Sequence, residues 1–338
     1  MRHTVSCYLV AWIKSISHQE IKGSKTMIYD RKPDWLRVTM SSSGNYAELK
    51  RGLRQLGLKT ICEEARCPNI YECWTGGTAT ILLMGDKCTR ACRFCAVSTG
   101  NPHGVLDTGE PERVAAQVAS SGLTYIVITS VDRDDLPDGG SAHIARTVKS
   151  IKKLNSGILV EVLIPDFGGS RDSLDRIIES GADVLAHNVE TVRRLTYSVR
   201  DRRANYDQSL DVLRYLKEAS GRITKTSLML GLGECRDEVI DTLHDIREVG
   251  TDAITLGQYL RPSGWHIPVT EYVAPEVFKQ YGSAASEMGF RMVASGPLVR
   301  SSYRAGELFM EGILRSAPEA ERGASNDFRE YVSAKVER

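Results

Sequence analysis

The stretch Thr80-Ile-Leu-Leu-Met-Gly-Asp-Lys-Cys-Thr-Arg-Ala-Cys-Arg-Phe-Cys95 joins an apolar run to a loop with three cysteines. Three residues separate Cys88 from Cys92, two separate Cys92 from Cys95, and the next cysteine is Cys235. The apolar run predicts a buried strand, so the cysteines would lie directly after the first strand of a sheet. Their spacing suits a loop that wraps one metal centre.

Downstream of this loop, aliphatic runs alternate with amphipathic stretches, which is typical of βα units around a parallel sheet. The predicted strands are 80–85, 125–131, 159–165, 184–188, 224–231 and 253–260. The predicted helices lie near 111–121, 141–153, 171–180, 207–219 and 236–248, and a further helix near 275–288 precedes the run 290–297, which extends or caps the sheet. Periodicity fits an incomplete barrel and a doubly wound sheet equally well. In either fold, ligands bind at the carboxyl ends of the strands.

Composition excludes several classes of partner. The chain has 338 residues, and 44 Lys and Arg nearly balance 43 Asp and Glu, so we expect no nucleic-acid partner. The longest uncharged apolar run, 7–13, is far shorter than the roughly 20 residues that span a bilayer, so we expect no membrane partner. We expect a cytoplasmic protein, although residues 1–26 leave organellar targeting open.

A second group of cysteines lies upstream, at Cys62, Cys67 and Cys73, with intervals of four and five residues. Two different triplets indicate two centres. Three thiolates can hold an iron-sulfur cube whose fourth iron stays open to another ligand. Two zinc sites, each completed by one other ligand, and three disulfides are the alternatives.

The cysteine motifs carry a resemblance to a known family. The first triplet, with Phe94 before its last cysteine, resembles the signature of the radical S-adenosylmethionine superfamily. Within that superfamily, the upstream triplet and Val299-Arg-Ser-Ser-Tyr303 resemble the lipoyl synthases. The similarity also covers the segments 33–36, 67–69, 127–136, 187–191, 231–234 and 257–262.

The resemblance implies an α/β fold built as a partial (β/α)6 TIM-type barrel, and a sulfurtransferase activity. Lipoyl synthases insert two sulfur atoms at the sixth and eighth carbons of a protein-bound octanoyl-lysine, giving lipoyl-lysine. It further implies two 4Fe-4S clusters: Cys88, Cys92 and Cys95 hold the one that reductively cleaves S-adenosylmethionine. The auxiliary cluster, which supplies the sulfur, would be held by Cys62, Cys67, Cys73 and Ser301, with Ser302 as the alternative to Ser301.

The resemblance also implies a set of S-adenosylmethionine contacts and no acid or base catalyst. The expected contacts are Phe94, Ser130, Asp132, Asn188, Glu190, Arg200, Gly231 and Glu234. Local explanations compete with these assignments, because glycines after a strand commonly form a turn and a carboxylate there can favour a helix start. Arg200 and Arg261 suit either the carboxylate of S-adenosylmethionine or acidic groups on a carrier domain.

We expect four regions: 1–30 as a disordered N-terminal extension, 31–79 with the auxiliary cysteines, 80–297 as the barrel, and 298–338 with the serine ligand. The implied partners are octanoylated lipoyl-carrier domains of 2-oxo-acid dehydrogenase complexes and glycine cleavage H protein, an electron donor and an iron-sulfur carrier protein. Two competing hypotheses are a sulfur-inserting enzyme similar to biotin synthase and a non-catalytic zinc-binding or redox-sensing module.

Overall fold

The computed structural model describes residues 32–37, 44–75, 78–303 and 305. The predicted extension 1–30 and most of the predicted region 298–338 lie outside these residues. The strands are β1 Lys59–Thr60, β2 Thr80–Leu83, β3 Lys87–Cys88, β4 Ser98–Thr99, β5 Tyr125–Ser130, β6 Leu159–Leu163, β7 Val184–Ala186, β8 Ile223–Leu230, β9 Ala253–Gln258 and β10 Met292–Gly296. All but β3 and β4 form one eight-stranded sheet, and β3 pairs with β4 in a small parallel sheet.

The order of strands in the large sheet decides between the two predicted architectures. The strands follow one another in chain order from β2 to β10, and each pair of neighbours is parallel. A doubly wound sheet reverses its strand order at a switch point, whereas a barrel keeps it sequential. Within the described residues β10 does not pair with β1, which lies antiparallel to β2, so the barrel is open. The predicted partial barrel is confirmed, and β10 extends it.

Helices cover the outer face of the sheet and form the segment before β2. They are α1 Gly44–Gln55, α2 Ile61–Glu64, α3 Ile70–Thr75, α4 Glu110–Ser120, α5 Ser141–Leu154, α6 Arg171–Ile178, α7 Thr196–Val199, α8 Tyr206–Ser220, α9 Arg236–Glu248 and α10 Pro275–Glu287. Among the described residues, 3-10 turns lie at Asp34–Leu36, Phe167–Gly169 and Arg193–Leu195. None of these described helices is long and apolar enough to cross a membrane.

The core explains why the strands read as continuous apolar runs. On β5, Ile126 and Ile128 are fully buried and belong to the same apolar cluster as Val148 and Ile151 of α5. Full burial of side chains of this size stabilises the fold by about 1.5 to 3 kcal/mol each. Because both faces of the parallel strands are covered, the polar groups needed for chemistry can collect only at the strand ends.

A buried polar group lies inside the barrel near the amino ends of the strands. Lys225 Nζ donates to both carboxylate oxygens of Glu161 at 2.8 Å, and the Tyr125 hydroxyl donates to Glu161 Oε2 at 2.7 Å. Burial of such charges is tolerated when they are paired and hydrogen-bonded, as these are. The group ties β5, β6 and β8 together below the cavity described next.

Candidate functional site

A cavity of about 530 Å³ lies at the carboxyl ends of the strands. It is lined by Cys88, Cys92 and Cys95 of the first triplet and by Cys62 and Cys67 of the second. Ser301 and Ser302 line the same cavity, whereas Cys73, on α3, is not among the lining residues. The structure therefore brings the two predicted ligand sets, except Cys73, to one space. None of the seven described cysteines forms a disulfide with another.

One buried arginine anchors the loop that carries the first triplet. Arg90 Nη1 and Nη2 donate to the two carboxylate oxygens of Asp166 at 2.8 and 2.7 Å, in a bidentate pair. The same guanidinium lies 2.9 Å from Asp134 Oδ1 and 3.2 Å from Asp132 Oδ1. Because Asp166 follows β6 and Asp132 follows β5, this arginine joins the cysteine loop to two strand ends. Sequence analysis missed this role, and its only signal was an arginine between two cysteines.

Further contacts hold the loop on its other side. The Ala91 amide donates to Asp201 Oδ2 at 2.9 Å, and the Asp201 amide donates to the Cys92 sulfur at 3.2 Å. His266 Nε2 lies 2.8 Å from the Cys95 carbonyl oxygen. This contact joins the loop after β9 to the cysteine loop.

The chemistry of the donor set suits an iron-sulfur cluster. Burial, reinforced by the negative charge of Asp132, raises the pKa of the Cys88 thiol to about 12, and burial raises that of Cys92 to about 12. Such thiols become thiolates only when a bound cation offsets the burial, which is how metal centres act on coordinating cysteines. Among the described residues, no group of three or more His, Cys, Asp and Glu side chains converges closely enough to hold a single metal ion.

The upstream triplet is joined to the C-terminal segment. Asn69 Nδ2 donates to the Leu298 carbonyl at 2.6 Å, and the Tyr303 hydroxyl donates to Glu72 Oε1 at 2.8 Å. The Ser302 hydroxyl accepts a hydrogen bond from Thr80 Oγ1 at 2.9 Å. No such bond engages the neighbouring Ser301 hydroxyl within the described residues, so Ser301 is the better placed of the two serines to bind a metal.

Most of the predicted cofactor contacts line the cavity. They are Phe94, Ser130, Asp132, Asn188, Glu190 and Arg200. Glu190 has a left-handed backbone, with φ of 71°, and its Oε1 accepts a hydrogen bond from Asn188 Nδ2 at 3.0 Å. Burial raises the pKa of Glu190, and the nearby Arg200 opposes that rise. A strained, buried carboxylate of this kind is a common feature of ligand sites.

Gly231 and Glu234 are not among the lining residues, and their contacts are local. The Glu234 carboxylate accepts hydrogen bonds from the amides of Gly231, at 2.5 Å, and Leu232, at 2.9 Å, closing its own turn. Gly231 has φ of 94°, and a Cβ there would collide with Gln258 and with the Glu271 carbonyl. The space beside the Gly231 backbone is therefore filled by Gln258 and Glu271 of the protein itself.

Comparisons with known proteins bear on the family of this chain. The model of the radical SAM superfamily matches residues 82–246, and that of the N-terminal domain of lipoyl synthase matches residues 14–67. The mitochondrial lipoyl synthase of Drosophila sechellia is 56% identical over 292 residues, covering 85% of this chain and 78% of that protein. That of Aedes aegypti is 55% identical over 299 residues, covering 86% and 76%.

Among solved structures, the FeFe-hydrogenase maturase HydG from Carboxydothermus hydrogenoformans superposes with a TM-score of 0.51 at 13% identity, covering 79% of this chain and 68% of that one. At this identity the likeness concerns the fold alone. Sequence identity above one half across most of both chains carries the family assignment: this chain belongs to the lipoyl synthase family of radical S-adenosylmethionine enzymes.

Proposed function

We propose that this one cavity houses both halves of the lipoyl synthase reaction, with a separate ligand set for each 4Fe-4S cluster. Cys88, Cys92 and Cys95 would hold the cluster that binds S-adenosylmethionine, and Cys62, Cys67, Cys73 and Ser301 would hold the auxiliary cluster. One observation carries this proposal: five of these cysteines and the serine line the same cavity. A sulfur donor and a radical source must reach the same two carbons of one octanoyl chain, and a shared cavity satisfies that need.

Unactivated carbons explain why the site needs no acid or base. When bound, the two clusters and S-adenosylmethionine supply the radical that removes hydrogen atoms from carbons six and eight, and the sulfur that replaces them. The chain itself binds and orients these groups and the octanoyl chain, and encloses them in the cavity. The anchors of Arg90 and Asp201 hold the first loop at the strand ends, and three protein ligands leave one position for the cofactor.

The cofactor contacts remain proposals of the same kind. We assign Phe94, Ser130, Asp132, Asn188, Glu190 and Arg200 to S-adenosylmethionine, on the ground that they line the cavity between the first triplet and the strand ends. The buried Glu190 carboxylate is suited to accept hydrogen bonds from hydroxyl groups of the cofactor. Gly231 and Glu234 are proposed to shape the neighbouring turn, with no direct contact.

Two of the four members of the auxiliary ligand set, Ser301 and Cys73, differ in their support. An oxygen ligand is a harder and poorer partner for iron-sulfur chemistry than a thiolate, so a serine bond would release readily when the cluster gives up sulfur. The free Ser301 hydroxyl at the cavity supports its inclusion. Cys73 packs against the apolar core, and its inclusion rests on the family resemblance.

The substrate of the family is a lipoyl-carrier protein that bears the octanoyl-lysine. We propose the carrier domains of 2-oxo-acid dehydrogenase complexes and glycine cleavage H protein as the substrates here. Reduction of the first cluster calls for an electron donor, and consumption of the auxiliary cluster calls for an iron-sulfur carrier protein. Because the relatives are named mitochondrial, we propose a mitochondrial location in place of the cytoplasmic one.

We also propose to keep the division of the chain at 31–79, 80–297 and 298–338. The hydrogen bonds from Asn69 to Leu298 and from Tyr303 to Glu72 support it, since they join the two flanking regions to each other outside the barrel.

The test compares one cysteine from each triplet. We expect Cys62→Ala to retain reductive cleavage of S-adenosylmethionine and to lose sulfur insertion, whereas Cys92→Ala loses both. Iron should fall from about eight to about four per chain in each variant. Cys235→Ser is the matched control, since it removes a thiol at the start of α9, where serine is a favoured helix cap. Equal loss of cleavage in the two alanine variants, or zinc in place of iron, would contradict the proposal.

A further inference from the structure

The mouth of the cavity carries charge of one sign. Among the described residues that line the cavity, the exposed charged ones are Lys32, Arg66 and Arg261, and all three are basic. The acidic lining residues are half-buried or buried and lie deeper, as Asp132, Asp166 and Glu190 do. The whole chain has a formal net charge of only +1. The positive mouth is therefore a local feature and does not reflect a generally basic surface.

Three separate parts of the fold supply these cations. Lys32 precedes the 3-10 turn Asp34–Leu36, and Arg66 lies in a left-handed turn, with φ of 49°, between α2 and α3. Arg261 follows β9. Segments that are far apart in sequence thus converge on one rim, as expected when a surface is shaped for a partner.

The three charges are not neutralised by described acidic side chains. Arg261 donates from Nε to the His266 carbonyl at 2.8 Å and from Nη2 to the Gly264 carbonyl, and neither acceptor carries a formal charge. No ion pair forms at Lys32 or Arg66 within the described residues. By contrast, exposed Arg194 on the side of the barrel pairs with Glu238 at 2.6 Å. The field at the mouth therefore remains available to an incoming molecule.

An exposed aromatic side chain lies on the loop that follows Arg261. Trp265 is 97% exposed, on the loop that Arg261 holds from within. His266 fixes this loop to the Cys95 carbonyl at 2.8 Å, and the Ile267 amide donates to the Arg93 carbonyl at 3.1 Å. One exposed tryptophan means little alone. On a fixed loop beside a charged cavity mouth, it has the character of the aromatic anchors that dominate protein interfaces.

We propose that Lys32, Arg66, Arg261 and Trp265 form a docking surface for an acidic face of the folded carrier domain that presents the octanoyl-lysine. This inference rests on the proposed function. An octanoyl group in amide linkage is uncharged and apolar, so basic side chains at the rim would not attract it. The cations instead face the protein surface that surrounds the acylated lysine. Complementary charge speeds the encounter of such partners and fixes their orientation.

The test separates the carrier domain from its lysine. Lys32→Glu/Arg66→Glu reverses two rim charges, and Lys149→Glu/Lys153→Glu reverses two exposed lysines on the outer helix α5 as the matched control. Each variant is assayed with an octanoylated carrier domain and with a short, neutral octanoyl-lysyl peptide. We expect the KM for the domain to rise about tenfold at low ionic strength in the rim variant only, and to approach the wild-type value at high salt. The kcat and the reaction with the peptide should be unchanged.

A second variant guards against an effect on the neighbouring Cys67. Lys32→Glu/Trp265→Ala changes no residue adjacent in sequence to a proposed ligand, and iron content is measured in every variant. We expect wild-type iron content together with the rise in KM for the domain. Equal rises in KM for domain and peptide, or for rim and control variants, would overturn the docking surface.

The result for wild-type protein distinguishes failure of the proposed function from failure of the docking surface. If wild-type protein inserts sulfur into neither substrate, the proposed function is refuted but the docking surface is not. Direct binding of the octanoylated domain to the rim and control variants then tests the surface alone. Binding that is equally tight in both variants would exclude the docking surface.

Discussion

The pair between Arg90 and Asp166 offers a quantitative test of how the first cysteine loop is held. The Asp166 side chain is fully buried and accepts both bonds of the bidentate guanidinium, at 2.8 and 2.7 Å. Burial alone would raise the pKa of Asp166, but the hydrogen bonds and charge of Arg90 outweigh it and lower the pKa from 3.8 to about 2. The test compares the free energy of unfolding of wild-type protein with that of Arg90→Gln, Asp166→Asn and the double variant.

The size of the effect follows from that pKa. At about 1.4 kcal/mol for each tenfold change in acid dissociation, the lowered pKa of Asp166 corresponds to about 2.5 kcal/mol of favourable interaction. Each single variant should lose more, about 3 to 5 kcal/mol, because it leaves the other charge buried without its partner. The double variant should lose less than the two single losses combined, with a coupling energy of about 2.5 kcal/mol.

The assay is chemical denaturation of the four forms, followed by tryptophan fluorescence at neutral pH. Because the pKa of Asp166 is lowered in the folded state, the stabilisation is fully present above the unfolded value near 4 and is lost as pH falls towards 2. A coupling energy below about 0.5 kcal/mol would refute the reasoning, since separated sites are additive to that level. So would single losses that are unchanged at pH 2.

Two further predictions concern the cavity wall. A Cβ at Gly257 would collide with the Val299 carbonyl, so Gly257→Ala should displace the C-terminal segment. We expect iron analysis to find about half the wild-type iron content, while cleavage of S-adenosylmethionine persists. An unchanged iron content would contradict this prediction. Burial and the charge of Arg200 lower the pKa of His187 to about 4. Stability should therefore fall as pH decreases from about 6.5 to about 4, and thermal midpoints of His187→Gln should depend less on pH over that range.

The barrel could be predicted from sequence because its strands are buried on both faces and read as unbroken apolar runs. The short helices α2 and α3 and the strand pair of β3 and β4 escaped prediction, since they are two to six residues long and owe their form to tertiary contacts. The anchor from Arg90 to Asp166 spans 76 residues, and one sequence carries no sign of such a pairing.

The cysteine loops could be predicted because the spacing of the cysteines alone defines them. Which side chains line the cavity could not be predicted, because that depends on the direction in which each side chain points. Cysteine intervals identified both triplets, yet they could not reveal that Cys73 would lie off the cavity while Cys62 and Cys67 line it. The prediction for Glu234 meets a related limit. A carboxylate that follows a glycine turn has the same sequence whether it faces a ligand or folds back onto the amides of Gly231 and Leu232, as it does here.

The bonds between the upstream triplet and the C-terminal segment impose an order in time on assembly. The first cysteine loop is complete once Cys95 has been synthesised, but Ser301 follows 206 residues later. At roughly 5 to 20 residues per second, a ribosome needs about 10 to 40 seconds for that interval. During it, the cysteines of both triplets have been synthesised, although the partner segment of the upstream triplet does not yet exist. With Ser301 in the proposed ligand set, the auxiliary centre would therefore be completed only near the end of synthesis.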